Sequence, residues 1–331
     1  MSVFKRYGTF APIVYGLVVI VSVFLLDRAA AAAMGTLLLY SDDRAARIYA
    51  GGRADDVAII GTSVGNAMAN PAVLSDQTGR RVFMMAIHGL DPYTQDALVR
   101  DYVALNAPPR LALIEVRSAR LEAVQAKILE LYARPATHVR ALLDQKRETF
   151  VPWDSIFHLY RFNSPELAQA VKNLVIRNDQ ASGRSNGRIT PGVINAWRRG
   201  TNIDHVDPQL VDAFVSTVSA LRTAGTIPVV VIAPMHPSGR YQAQIMRSDV
   251  VSRLPAGVLV CDFADYLDDD RYFEDPAHLN DAGRAAIAPL FDALIANQIG
   301  RGPSANTENT EAASRAVADR CRPRPGANLH A

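Results

Sequence analysis

The sequence predicts an α/β protein: a three-layer domain on a parallel five-stranded sheet, with a helical insertion, preceded by one N-terminal transmembrane helix. Three observations predict it. A run without a single charge, Phe10 to Leu26, follows Lys5 and Arg6. From Asp56 onward strand and helix signals alternate, the pattern of a parallel sheet covered on both faces. Between Ser118 and Asp204 that alternation breaks down and helical segments replace it. A chain of 331 residues has room for one large domain with such an insertion and a sizeable core.

The uncharged run is at the short end of the roughly 17–25 residues that cross a bilayer. Asp27 and Arg28 interrupt it, and an Ala-rich stretch to Leu39 continues the helix beyond the bilayer. Residues 10–39 therefore read as anchor and extension, and 1–9 as a short cytoplasmic N-terminus. Basic residues precede the span, while Arg28 beyond it is offset by Asp27. The positive-inside bias places the domain outside a single-pass cell (inner) membrane, in the periplasm or the cell exterior. A cleaved signal peptide is the rival, since Ala29 to Ala33 supplies small residues for a cleavage site. Both readings export the domain.

The first strand is Val57 onward, a short β-branched apolar run that stops at Gly61 in a tight turn. Arg81 to Ile87 reads as the second. Asp91-Pro92 then supplies an N-cap and a first-turn proline for a helix to about Ala107. Leu111 to Val116 is the third strand. Asp207-Pro208 opens another helix, with Leu210, Val211, Phe214, Val215, Val218 and Leu221 on one face and Gly225 as its stop. Pro228 to Ala233 is the fourth strand and Gly257 to Cys261 the fifth. A helix from about Asp281 to Ile299, kinked at Pro289, completes a domain spanning residues 56–299.

The insertion, residues 118–204, carries Trp153, Tyr160 and Trp197 and a polar run from Asn178 to Arg188, and is expected to border the site over one sheet edge. Residues 300–331 are polar and without periodicity, so they read as a disordered tail. The formal net charge of +2 argues against nucleic acid as a partner. Two cysteines make no disulfide framework and no zinc cluster. Cys261 reads as a buried small hydrophobe, and a bond to Cys321 in the polar tail is not expected.

Two stretches carry chemistry. Ser63 stands just past the carboxyl end of the first strand, the edge where open α/β sheets bind ligands. Serine after glycine is also ordinary helix capping. Far down the chain, Asp275 and His278 are three apart just before a helix. A carboxylate there holds an imidazole in one tautomer while its other nitrogen activates a serine. The ordinary reading of a lone Asp-x-x-His is an exposed loop.

Together these stretches resemble the SGNH hydrolases, also called the GDSL family. Gly61-Thr62-Ser63 is similar to the family's first block, with threonine in place of aspartate. Asp275-Pro276-Ala277-His278-Leu279-Asn280-Asp281-Ala282-Gly283 is similar to its last. The resemblance implies a flavodoxin-like three-layer fold, Ser63 as nucleophile, His278 as general base and Asp275 as its orienting carboxylate. Gly89, in Ala86-Ile87-His88-Gly89-Leu90, matches the glycine that joins the Ser63 backbone in the oxyanion hole. The third block departs from the pattern: where the family has asparagine, the chain reads Glu115-Val116-Arg117-Ser118. Each oxyanion donor is worth about 3–4 kcal/mol. Arg117 is a candidate replacement or a substrate-binding residue, its ordinary reading being a salt bridge to Glu115, and His88 is a second candidate lining residue.

Three other readings compete. Gly61-Thr62-Ser63-Val64-Gly65 matches the Gly-x-Ser-x-Gly elbow, but that fold needs strands ahead of the serine. A dinucleotide loop lacks its third glycine and its acidic residue about 20 positions on. A metal site from His278, Asp275 and His236 has no supporting spacing. The expectation is therefore a serine esterase or O-acyltransferase without cofactor or metal. By the resemblance, its substrate is an acyl ester or a surface glycan, and its partner a membrane acyl-donor protein. The alternatives are a general esterase of small acyl esters, or a catalytically degenerate domain that binds glycan or assists assembly.

Overall fold

A computed structural model describes residues 7–120, 129–133, 137–146, 153–163, 165–175, 186–200, 205–302 and 310–325. Lys5, Arg6, most of the polar run from Asn178 and parts of the expected tail lie outside the described residues. Helix α1 (Tyr7–Leu38) opens the chain, and its residues Ala11–Leu38 are long and apolar enough to cross a membrane. Its far end belongs to the domain, because Ala31 and Leu38 are buried in the core. Asp27, which interrupts the apolar run, accepts hydrogen bonds from the His158 and Leu159 backbone N–H groups at 2.7 and 3.1 Å. It thereby caps the 3-10 helix His158–Phe162, whose first N–H groups have no partner within the helix. Helix α2 (Arg44–Ala50) follows, capped by Asp43 through the Ala45 N–H at 2.8 Å.

The sheet has six strands: β1 (Val57–Ile60), β2 (Val82–Met84), β3 (Leu111–Glu115), β4 (Ile227–Ile232), β5 (Leu259–Asp262) and β6 (Cys321–Pro323), in the order β2-β1-β3-β4-β5-β6. The first five are parallel and β6 runs antiparallel to β5. In register, Ile59 faces Leu113, Leu113 faces Val229, and Val231 faces Cys261. Side chains alternate across a strand, so the continuous apolar runs feed two cores. Ala58, Ile60, Ile114, Val230 and Ile232 enter one; Val57, Ile59, Leu113, Val229 and Val231 enter the other.

The first face is covered by α2 and by two helices whose prolines sit at the first turn. These are Pro92–Leu105, capped by Asp91 through the Tyr93 and Thr94 N–H groups, and Pro208–Thr223, capped by Asp207 through that of Gln209. They bury Tyr49, Tyr102 and Phe214. The second face is covered by Ser63–Met68, Pro71–Thr78 and Asp281–Ile299, which bury Met68, Leu74, Phe291 and Leu294. A mixed α/β domain with helices on both sheet faces is therefore the observed architecture.

Three expectations are corrected at the C-terminus. The sheet has a sixth strand, and the polar tail is structured over residues 310–325. Helix Thr310–Arg320 buries Ala313 and Val317, and β6 pairs along the open edge of β5. Two small apolar residues among charges are too weak a periodic signal to reveal such a helix. The pairing also brings Cys321 opposite Cys261, and the two form a disulfide with Cα atoms 4.0 Å apart. Cys261 is buried as expected, but as half of a cystine. Closing a loop with a sequence separation of 60 stabilises by about 4 kcal/mol in the chain-entropy account. Cys321→Ser is expected to lower the denaturant midpoint accordingly, and reductant should then have no further effect.

The described part of the insertion includes the helical segments His138–Lys146, Trp153–Ile156, Pro165–Val175 and Pro191–Gly200. Asp101, on the Pro92–Leu105 helix, holds His138–Lys146 through the His138 and Val139 N–H groups at 2.6 and 3.1 Å. The 3-10 helix His158–Phe162 packs against α1, which ties this stretch to the anchor helix.

Candidate active site

The site begins at the turn after β1. Gly61 has φ of 152°, and a Cβ there would lie 2.9 Å from Cβ of Glu115, so glycine is required. Ser63 then opens the short helix Ser63–Met68, and no side-chain bond from Thr62 caps that helix. Gly65 packs its backbone close to Ala86 and Glu115, which gives the second glycine of the motif a packing role.

The loop after β5 carries the other two residues. Phe273 and Leu279, both buried, pair as an antiparallel bridge and close the loop, helped by the Glu274 N–H donating to the His278 carbonyl at 3.1 Å. Inside it, Asp275 Oδ1 accepts the Ala277 and His278 N–H groups at 2.7 and 2.9 Å. Its Oδ2 lies 2.8 Å from His278 Nδ1, and His278 Nε2 lies 2.8 Å from Ser63 Oγ. The structure thus joins Ser63, His278 and Asp275 in one hydrogen-bonded chain across a sequence separation of 215. An ionised carboxylate only accepts, so Nδ1 carries the imidazole proton and Nε2 is free to accept from the serine hydroxyl.

Burial pushes the Asp275 carboxyl up, but its bond to His278, the His278 charge and the two backbone N–H groups outweigh it and leave the group below the ordinary carboxylate range. A lowered folded value means a stability contribution that is complete above the unfolded carboxylate value and lost as pH falls through the folded one. Asp275→Asn is therefore expected to flatten the loss of stability below the ordinary carboxylate range, as read by denaturant midpoints across acid pH.

A brace holds this loop. His236 Nδ1 faces the Ser238 N–H and Oγ at 3.2 and 2.8 Å, which leaves the proton on Nε2 for Asp270 Oδ1 at 2.9 Å. The His236 backbone N–H donates to the Pro276 carbonyl at 3.2 Å. His236 is accordingly a structural residue and does not join Asp275 and His278. A Cβ on the neighbouring Gly239 would lie 2.7 Å from the Pro276 oxygen, backbone that cannot easily give way. Gly239→Ala is expected to displace the loop and to cost on the order of 100-fold in turnover with the fold retained, measured by ester kinetics beside circular dichroism.

Past β2 the chain stays in register with β1, since the Ile87 N–H donates to the Gly61 carbonyl at 3.1 Å. This brings His88 and Gly89 to the same edge, with Gly89 in a turn at φ of 70°. His88 Nε2 lies 3.3 Å from Asn66 Nδ2, and Asn66 Oδ1 accepts from Arg44 Nη2 at 2.6 Å. With its oxygen held by Arg44, the Asn66 amide donates to His88. Burial first, then the Arg44 and His278 charges, hold the His88 imidazole below its usual range, against a smaller opposing push from Glu274. Sequence reasoning missed Arg44 and Asn66. Asn66 stands three residues after Ser63 on one helical turn, a usable signal; nothing local marks Arg44.

Arg117 follows β3 in the 3-10 helix Val116–Arg120 and is only 8% exposed. Its backbone N–H donates to Glu115 Oε1 at 2.9 Å, whereas its Nε and Nη1 are buried without a hydrogen-bond partner. The guanidinium carbon lies 5.7 Å from the Trp197 ring centroid. Burial pushes Arg117 below the usual guanidinium range, opposed by the Glu115 and Asp275 carboxylates and Tyr241. Trp197 thus brings an aromatic of the insertion beside Arg117. The segment before its helix is tied to the loop of Asp275 by the Ile189 N–H bond to the Phe273 carbonyl at 2.7 Å.

Glu274, Asp275 and His278 each offer a ligand atom within 4.8 Å of the others, so this corner could receive a cation through atoms two of these residues already use for one another. A separate cleft of about 610 Å³ lies among Tyr93, Asp96, Arg100, His138 and Ser216, away from the triad. The arrangement at Ser63 has the parts for nucleophilic attack by a serine with a base and an orienting carboxylate. Compared with models of protein families and with the curated proteins, the chain matches none.

Proposed function

We propose that the chain is a membrane-anchored serine enzyme of acyl-ester chemistry, with an SGNH-like, flavodoxin-like domain on the outer side of the cell membrane. The observation that carries the reading is the chain of 2.8 Å contacts from Ser63 Oγ through His278 to Asp275 at the carboxyl edge of a parallel sheet. In this reading Ser63 Oγ attacks the ester carbonyl while its proton passes to His278 Nε2. The resulting imidazolium is stabilised by Asp275, and the proton then leaves with the alcohol as the acyl group stays on Ser63. Water attacking that acyl-serine gives hydrolysis; a sugar hydroxyl gives transfer. The Ser63 and Gly89 backbone N–H groups serve as oxyanion donors, and Arg117 takes the place of the asparagine that the SGNH pattern has after β3.

The anchor supports an exported setting, as does the cystine, since such bonds persist in oxidising compartments. The substrate class favoured is an O-acylated surface glycan, with a membrane acyl-donor protein as partner. The test is a burst experiment with a chromogenic acetyl ester. One equivalent of alcohol should appear at once, with an acetyl adduct on Ser63 by mass spectrometry, and added glycan should then accelerate turnover if transfer is the physiological route. A folded protein with neither burst nor adduct would favour the binding or assembly alternative, for which the missing asparagine is the supporting observation.

A further inference from the structure

Trp153, Ile156, Phe157 and Tyr160 form an exposed apolar patch, each between 38% and 52% exposed, with the Trp153 and Phe157 rings stacked at 6.2 Å. Their position relative to α1 is fixed by four hydrogen bonds. Asp27 caps the 3-10 helix that begins at His158, and Arg161 donates to the Ala31 carbonyl at 3.3 Å. Arg28 donates to the Ile156 carbonyl at 3.4 Å, and its guanidinium also lies 3.1 Å from the Phe24 ring centroid. Phe24 belongs to the uncharged stretch 10–26, and at about 1.5 Å per residue that stretch extends roughly 25 Å, close to the apolar thickness of a bilayer. Asp27 and Arg28 therefore stand where acyl chains give way to headgroups, and the patch hangs beside them.

We propose that this patch is a second membrane contact, seated in the outer headgroup layer beside the anchor. The inference rests on the anchor reading but not on the enzyme reading. The chemistry suits that layer. Tryptophan and tyrosine have apolar bodies and one polar tip, and they collect at membrane interfaces. Arginine at such a level keeps its charge in the headgroups while its stem lies along apolar neighbours. The occupant follows from continuity: the patch is tied to the end of the span itself, so a bilayer around α1 meets it without any further partner. A surface of four large apolar side chains in water needs such an explanation. Two attachment points would fix the tilt of the domain, and with it the height of the Ser63 edge above the membrane.

The test uses the full chain in proteoliposomes with Trp197→Phe, which leaves Trp153 as the single tryptophan. Flotation first shows whether the chain resides in the vesicles. Trp153 emission should then be quenched by lipid carrying a spin label near the headgroup, more than by a label deep in the acyl chain, and be protected from iodide. Phe157→Asp with Tyr160→Asp should reverse the protection by several-fold while flotation persists. Trp153 open to iodide and untouched by lipid labels would overturn the proposal. So would protection from iodide without lipid quenching, which would point to a second copy or another protein. A chain that fails to float removes the anchor and the patch's bilayer together, whereas esterase activity of the unsubstituted chain beside absent lipid quenching of Trp153 removes this proposal alone.

Discussion

Ser63→Ala and His278→Ala are each expected to lower turnover of a simple acyl ester by on the order of 10⁴- to 10⁶-fold, with the double variant scarcely worse than either. The near-equality is the informative part. Ser63 Oγ and His278 Nε2 share one hydrogen bond of 2.8 Å, so removing either partner removes the same activated nucleophile. Independent residues would instead multiply their losses. Asp275→Asn is less damaging, on the order of 10⁴-fold at most, because serine and imidazole still meet while the tautomer preference is lost. The loop should survive the change, since the amide oxygen can still accept the Ala277 and His278 N–H groups that now bond Asp275 Oδ1. Ester kinetics with each variant, beside thermal unfolding to confirm the fold, make the comparison.

Arg117→Gln is expected to have the second large effect, on the order of 100-fold in kcat/KM, the size of the loss of one oxyanion donor. Two donors of a buried guanidinium stand without partners next to the site, an arrangement that is costly unless something anionic arrives. If the anion is the oxyanion of the tetrahedral intermediate, the loss falls on kcat for neutral and charged esters alike. If it is a carboxylate or phosphate on the substrate, the loss falls on KM and only for the charged ester. Kinetics with a matched pair of neutral and anionic esters separate the two, and an unchanged kcat/KM for both would remove Arg117 from the machinery.

How far the sequence could carry this is clearest at single residues. Asp91-Pro92 and Asp207-Pro208 are complete local statements, a cap plus a pre-set φ, and both open helices as expected. The apolar run of β1, its glycine stop and Ser63 are equally local. Asp275 and His278 were legible as a spacing, because their mutual bond lies within one loop. Their approach to Ser63 was legible through the resemblance to the SGNH blocks and the rule that parallel strands share a carboxyl edge. What could not be read is carried by long-range contacts. Arg44 reaches Asn66 from a helix placed ahead of the sheet, and Cys321 reaches Cys261 from a polar segment. Asp27 looked like a flaw in an apolar run and is the cap of a 3-10 helix far along the chain. In each case the residue's meaning depends on a partner that neither periodicity nor motif spacing specifies.

The central claim is that Ser63 is an activated nucleophile, and a fluorophosphonate probe tests it most directly. Attack by Ser63 Oγ on phosphorus, with loss of fluoride, leaves a stable adduct that peptide mass spectrometry can place. The account predicts labelling at Ser63 in the wild-type chain, none in Ser63→Ala, and strongly slowed labelling in His278→Ala. A folded wild-type chain that takes no label, or one labelled at some other residue, would contradict it.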